Sequence, residues 1–370
     1  MKILIYTGYH NPTLSKKRWL DEGIGGTEYC YIKLAEALVK QGHKVVVSGL
    51  VDARVDSGVH YIPLEQLKKH QSPLGKNNGD KLRGYDHYNI VIAGQYINYF
   101  KELKRKKITF DKSIFWLHND DGWYNWYRGK VMKDDEVNEA LSQVDKFVCV
   151  SEFHVDIIKD KLKAFGYTPH DSTTYIQSID NAIDLDDWSN IKASKIKGRI
   201  IWSSAPDRGL KTILQKRRDL KRVRPELSLT VACPPYASDW DKGLIEQDGI
   251  EYLGALSPKR LKEEQYKAEY WIYQSEYLET YCITAVEMMI SNTKLLTNGG
   301  GNIKNIIGMG ERGMLINNNP ATIKEMLIRD TTDRTFARLW SNKTIVAREW
   351  AIKQTWNNRV TEWLSLIDTL

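Results

Sequence analysis

Short β-branched runs alternate with amphipathic stretches along nearly the whole chain. "KILIYT" (2–7) ends at Gly8, and "TEYCYIKLAEALVKQG" (27–42) brings Cys30, Leu34 and Leu38 to positions i, i+4 and i+8, so the opening predicts strand, loop, helix. Gly42 stops that helix, and "HKVVVSGL" (43–50), "NIVIAG" (89–94), "SIFWLH" (113–118) and "KFVCVS" (146–151) repeat the strand type. Such alternation predicts a parallel sheet covered by helices. The stretch "HQSPLGKNNGDKLRGYDH" (70–87) is dense in turn formers and predicts a surface loop.

After "NAIDLDDW" (181–188) and the polar "SNIKASKIKG" (189–198) the pattern begins afresh with "RIIWSS" (199–204). "LSLTVAC" (227–233), "GIEYLG" (249–254), "EYWIYQ" (269–274), "TKLLTN" (293–298) and "RGMLIN" (312–317) follow as strands, with helices between. One of these helices has a readable start, Ser257 as N-cap and Pro258 at the first helical position. Beyond them Trp340, Trp350, Trp356 and Trp363 fall in a helical pattern with few breakers. The expectation is an α/β protein of two doubly wound parallel-sheet domains, 1–188 and 189–340, with a C-terminal helical element at 341–370.

Length agrees, because 370 residues exceed the size at which one core usually stops growing. With 42% hydrophobic and 27% charged residues the composition is that of an ordinary globular protein. The formal charge of +7 suits an anionic ligand, a membrane surface or nucleic acid without choosing among them. No zinc-finger spacing or RNP-type aromatic strand is present, so nucleic acid is not an expected partner. Cys30, Cys149, Cys233 and Cys282 lie far apart, each in a predicted helix or strand, which predicts reduced, buried thiols. The opening apolar run is too short for a signal peptide and no stretch approaches the ~18 apolar residues of a membrane span. A cytoplasmic protein is expected, with peripheral membrane contact left open.

Ligands of a doubly wound sheet bind beyond the C-terminal ends of its strands, so the loops there hold the candidate chemistry. In "GIGGTE" (23–28), Gly25 and Gly26 precede a helix, where backbone N–H groups can approach a phosphate; the plainer reading is a turn capped by Thr27. The glycines do not follow G-x-G-x-x-G, which argues against a nicotinamide fingerprint. His118 ends a predicted strand and opens an aromatic loop suited to a sugar ring, although a lone histidine there is also a common structural residue. Arg208 in "SSAPDRGLKTIL" (203–214) can clamp a diphosphate or form a surface salt bridge. Lys216, Arg217, Arg218, Lys221, Arg222 and Arg224 make the next helix strongly basic, read chiefly as a solvated face and secondarily as a contact for anionic lipid. The strings Asp184-x-Asp186 and Asp239-x-Asp241 are too short to argue for a metal.

"ETYCITAVE" (279–287) begins and ends on a carboxylate. A helix opening at Tyr281 sets Glu279 and Glu287 roughly 12 Å apart along one side, close to the length of a sugar joined through a diphosphate to a ribose. Alternatively Glu279 only complements a helix dipole and Glu287 is solvated.

In their order these pieces resemble glycosyltransferase family 4, the retaining nucleotide-sugar transferases of GT-B fold. The matching segments are "GGTE", "VSEFHVDIIKD" (150–160), "NAIDLDDW", "APDRGL", "EYLGALSPKRL", "ETYCITAVE" and "TNGGGNIKNII", which span nearly the whole chain. The resemblance implies two Rossmann-like domains facing across a cleft, with the donor mostly on the second and the acceptor mostly on the first. It implies Glu279 at the transferred sugar, Glu287 on the ribose hydroxyls, and Arg208 at the diphosphate. Gly25, Gly26, Thr280, Tyr281, Cys282, Ile283 and Leu253 complete the expected substrate-binding set, and Arg208, Glu279 and His118 the catalytic one. The departures are Trp202 where many members carry a second basic residue, Thr280 and Cys282 in place of glycines, and "GGNIK" (300–304) for the usual G-G-x-P-E.

The expected activity is retaining transfer of a hexose or pentose from a nucleoside diphosphate to a glycan, lipid or protein-linked hydroxyl, without metal or other cofactor. A GT-B-like nucleotide-sugar epimerase or a catalytically silent binding protein would share the donor site.

Overall fold

The computed structural model describes residues 1–8, 14–67, 86–120, 133–167, 175–237, 243, 245, 249–316 and 319–370. They form two compact units: Met1–Lys16, Gly26–Asn181 and Trp356–Leu370 in unit 1, and Lys17–Gly25 and Ala182–Thr355 in unit 2. Most of the loop predicted at 70–87, the aromatic residues after His118 and Asp239-x-Asp241 lie outside the described residues.

Unit 1 holds strands β1 (Lys2–Gly8), β2 (Lys44–Gly49), β3 (Arg54–Asp56), β4 (Val59–Pro63), β5 (His87–Gly94), β6 (Thr109–Trp116), β7 (Lys146–Cys149) and β8 (Ile176–Ser178). Their order is β3-β4-β2-β1-β5-β6-β7-β8, parallel apart from the β3–β4 pair. Ile3 to Tyr6 are fully buried, as central parallel strands covered on both faces require, and this is why the strands read as continuous apolar runs. The helix Gly26–Lys40 buries Cys30, Leu34 and Leu38 and stops before Gly42, whose φ of +84° only glycine adopts freely. The β3–β4 hairpin was not read from the sequence. It turns on Ser57 and Gly58, both at positive φ, a two-residue geometry matched to strand twist.

The last helix of unit 1, Trp356–Asp368, buries Trp356, Val360, Trp363, Leu366 and Ile367. The indole of Trp363 meets Trp116 of β6 edge-on at 4.8 Å between ring centroids.

Unit 2 holds β9 (Ile196–Trp202), β10 (Ser228–Ala232), β11 (Ile250–Gly254), β12 (Ala268–Tyr273), β13 (Lys294–Thr297) and β14 (Met314–Leu315). All pair in parallel in the order β11-β10-β9-β12-β13-β14. The helix Pro258–Lys267 starts where the sequence indicated, with the Ser257 hydroxyl accepting from Arg260 N at 3.3 Å.

The units divide after Asn181 and Thr355, whereas the polar stretch and the tryptophan pattern pointed to 188 and 340. Packing explains both differences. Trp188 is buried in unit 2 against Tyr266, and Trp340 lies within the helix Arg334–Ala351, which buries Phe336, Trp340, Ala347 and Ala351 in the same unit. Lys17–Gly25 also belongs to unit 2, where a Cβ on Gly23 would approach Leu256 O to 2.9 Å.

None of the four cysteines is in a disulfide and all are buried, although Cys233 lies one residue past β10 and Cys282 just ahead of a helix. The basic helix Leu210–Val223 is less solvated than its sequence suggested. Arg217 is buried, Lys216 bonds Gln274, and Arg224 just beyond it bonds Tyr270 and Leu327 O. Those contacts serve the interior of unit 2, while Arg218 and Arg222 stay exposed and Lys216 and Lys221 are half-buried. Among the described residues no helix is long and apolar enough to cross a membrane.

Candidate functional site

Relative to the chain, the six strands of unit 2 run 3-2-1-4-5-6, so the order reverses between β9 and β12. Connections leave such a point in opposite directions and open a crevice at the strands' C-terminal ends. The loops there are 203–209 after β9, 274–282 after β12 and 298–302 after β13.

The first loop closes in a short turn, Pro206–Arg208, ended by Gly209 at φ +118°. A Cβ on Gly209 would stand 2.3 Å from Gln274 O, so the two loops touch through a position that only glycine can fill. Arg208 Nη1 donates to Glu279 Oε1 at 3.0 Å, and its guanidinium carbon lies 3.4 Å from the centroid of the Tyr277 ring. Tyr273 Oη donates to the same Glu279 oxygen at 2.6 Å. Burial alone would pull the guanidinium down, but Glu279 and the surrounding Tyr277, Tyr273 and Tyr236 hold it above its ordinary range. The cation is therefore permanent.

The second loop is braced from the third. Asn298 Nδ2 donates to Ser275 O at 2.8 Å while its Oδ1 accepts from Ser275 N at 3.2 Å. Asn302 N donates to Glu279 O at 2.8 Å. Gly301, at φ +64°, packs so tightly that a Cβ would fall 2.4 Å from Glu279 O. The glycine run in "TNGGGNIKNII" thus lets one loop lie directly on the backbone that carries Glu279.

The helix after Glu279 spans Ile283–Ile290 rather than opening at Tyr281, because Cys282 sits in the left-handed region at φ +83°. The two glutamates therefore do not share one helical side: Glu279 belongs to the loop and Glu287 to the second turn. Gln265 Nε2 donates to Glu287 Oε2 at 2.9 Å. Burial pushes the half-buried Glu287 carboxyl above the usual range, against the pull of Lys262 and Gln265.

Thr280, Tyr281 and Cys282 are buried and Ile283 half-buried at the start of that helix, whose first amides have no intrahelical carbonyl to bond. Leu253 is half-buried on the edge strand β11, which β10 separates from β9. Gly25 closes the Lys17–Gly25 segment of unit 2, and Gly26 opens a helix of unit 1. Trp202 is buried at the end of β9, stacked on Tyr273 at 5.2 Å.

His118 lies in unit 1, two residues beyond β6 rather than at its end, buried between Tyr31 at 5.4 Å and Trp116 at 4.6 Å. The turn behind it is tied down by the helix Glu152–Ala164: His154 Nε2 bonds Asn119 O at 3.1 Å, and Lys161 Nζ donates to Asp120 O at 2.7 Å. His154 Nδ1 accepts from Val150 N, which sets the proton on Nε2, and burial lowers the imidazole to about 4.

Asp184 Oδ1 accepts from Asp186 N at 3.1 Å, capping the turn Leu185–Trp188. Among the described residues no cluster of His, Cys, Asp or Glu could hold a metal ion.

Sequence reasoning missed Tyr273, Tyr277, Gln265, Asn298, His154 and Lys161. Only the last two left a signal, a seven-residue spacing that puts both on one helix face.

No protein-family profile matches the chain. A segment of 120 residues, 30% of the chain, is 27% identical to a lipopolysaccharide 1,2-N-acetylglucosaminetransferase of Salmonella typhimurium, and the match spans 32% of that relative's length. A glycosyltransferase from Rickettsia africae superposes with a TM-score of 0.68 at 16% identity, over 100% of this chain and 98% of that one. HepE from Anabaena, solved with UDP-glucose, superposes with a TM-score of 0.64 at 13% identity over 99% of each chain. The two parallel-sheet units have the GT-B fold.

Proposed function

We propose that this chain is a retaining glycosyltransferase of family 4 that moves a sugar from a uridine diphosphate to an acceptor hydroxyl, with the donor held by unit 2. The observation that carries the reading is the Arg208–Glu279 pair at the strand-order reversal of unit 2, 3.0 Å apart on two loops that glycines press together. UDP-glucose in HepE and the sugar transferred by the Salmonella relative support the donor class.

As the bond between the anomeric carbon and the diphosphate breaks, negative charge gathers on the departing oxygen. Arg208 is a fixed cation at that charge, and the first amides of the helix Ile283–Ile290 add their dipoles. The acceptor oxygen bonds the anomeric carbon on the face the diphosphate leaves, and its proton passes to the departing oxygen. Glu279 accepts from hydroxyls of the transferred sugar and Glu287 from those of the ribose, while His118 is the unit 1 candidate for holding a hydroxyl. The guanidinium supplies the charge that a metal would, so transfer in EDTA supports this reading and activity restored by Mg2+ or Mn2+ overturns it.

Calorimetry with UDP and a panel of UDP-sugars is the direct test. Arg208→Ala weakens UDP binding by about tenfold or more, the scale of a charge-assisted contact. Unchanged affinity removes Arg208 from the diphosphate.

A further inference from the structure

The end of β12 carries aromatic residues that the proposed chemistry does not use. Trp271 and Tyr273, two apart on the strand, stack at 4.8 Å between centroids with planes 12° apart. Trp202, from the end of the neighbouring β9, also stacks on Tyr273, at 5.2 Å and 19°. All three are essentially sealed from solvent. Trp202 is itself anchored, its Nε1 donating to Ser204 O at 2.8 Å. Tyr273 is thus a ring with no freedom to swing, and its hydroxyl ends 2.6 Å from Glu279 Oε1.

We propose that Trp202 and Tyr273 are positioning residues for the donor sugar: the stack aims the tyrosine hydroxyl at Glu279 and fixes how that carboxylate is presented beside Arg208. The inference rests on the assignment of Glu279 to the sugar. Two donors, Tyr273 Oη and Arg208 Nη1, converge on one carboxylate oxygen, which removes the rotation a glutamate on a loop otherwise keeps. Burial and the neighbouring carboxylate push the Tyr273 hydroxyl far above its ordinary value, so it stays a donor at every working pH.

Trp202 gains a role by the same geometry. It stands where the family resemblance implies a second basic residue, and in this chain the position supports the sugar-facing carboxylate instead of adding charge at the diphosphate. An arginine there would remove the stack from Tyr273.

The test uses Tyr273→Phe, which keeps the ring and deletes only the hydroxyl, with UDP, UDP-glucose and UDP-N-acetylglucosamine as calorimetric probes. The expected result is UDP affinity within about twofold of wild type, and an additional affinity for the better UDP-sugar over UDP that falls about tenfold, as it does in Glu279→Gln. Trp202→Phe retains that increment and Trp202→Arg loses it. A Tyr273→Phe protein that keeps the increment while Glu279→Gln loses it overturns the positioning role and leaves the function intact. If Glu279→Gln keeps it too, the assignment of Glu279 has failed and the inference falls with it. A crystal structure of ligand-free Tyr273→Phe decides independently of sugar identity, since an unmoved Glu279 carboxylate also overturns the proposal.

Discussion

In unit 1 the central strands β1 and β5 end in Gly8 and Gly94, and tyrosine rings occupy the space their side chains would need. A Cβ on Gly8 would lie 2.1 Å from the Tyr99 ring, and one on Gly94 2.0 Å from the Tyr31 hydroxyl. In unit 2 the corresponding strands β9 and β12 lead instead into loops that hold Arg208 and Glu279. Leaving aside the β3 strand and the edge strand β8, both sheets have the same order with respect to their chain segments. Among the described residues, unit 1 therefore fills its turning point with tyrosine side chains and unit 2 furnishes its own with charge, a difference of side chains rather than of topology.

The turns are also held differently. Unit 1 secures the segment after His118 with a neutral histidine on Asn119 and a lysine, Lys161, on Asp120, whereas unit 2 secures Glu279 with a permanent guanidinium and a hydroxyl. The sharpest break of the comparison is Glu279→Gln, expected to lower sugar transfer by about a thousandfold or more in a UDP-release assay, against about tenfold for His118→Ala. Equal losses would place the same weight on both units.

Acid separates the two kinds of hold. His154 has a folded value near 4 against an ordinary 6.5, so the unfolded chain takes up the proton first. Its contribution is complete above about pH 6.5 and shrinks as pH falls toward 4, by about 3 kcal/mol in all. Asp180, raised by burial to about 6, acts with the opposite slope in much of that range. The informative quantity is therefore the difference in unfolding free energy between wild type and His154→Gln, which falls on acidification; a flat difference contradicts the buried neutral imidazole.

Glycine substitutions probe how each turning point is packed. Gly301→Ala, with φ +64° and a backbone clash against Glu279, is expected to destabilise unit 2 by about 2 kcal/mol. Gly94→Ala meets the end of a tyrosine side chain, so a smaller loss is expected by denaturant titration if Tyr31 gives way. The mildest change is Asp184→Ala, which removes a cap and lowers stability by about 1 kcal/mol without altering donor affinity.

The central strands of both sheets were legible because a fully covered parallel strand is written as a local apolar run, and "KILIYT" or "TKLLTN" needs no distant residue to be recognised. The β3–β4 hairpin and β8 were not read, since β3 and β8 are only three residues long and β4, though mostly buried, is a five-residue stretch interrupted by His60 and ended by Pro63. Arg208 could be named because it stands beside Gly209 at a strand end, and Glu279 and Glu287 because their spacing matches the donor motif that the family resemblance implies. Where the helix after Glu279 begins was misjudged, because the left-handed turn at Cys282 is imposed by the loop packed around it and cysteine gives no warning of it.

The amino-acid order by itself determined the alternation of elements, the doubled architecture and the places where chemistry could sit, all of which depend on neighbours within a few residues. Tertiary structure alone decided that Tyr273 reaches Glu279, that Trp202 stacks rather than leaving a gap, that Gln265 meets Glu287 and that His154 holds Asn119. Those contacts join residues on different elements, and a hydrogen bond depends on a few tenths of an ångström between them, a quantity that periodicity does not encode.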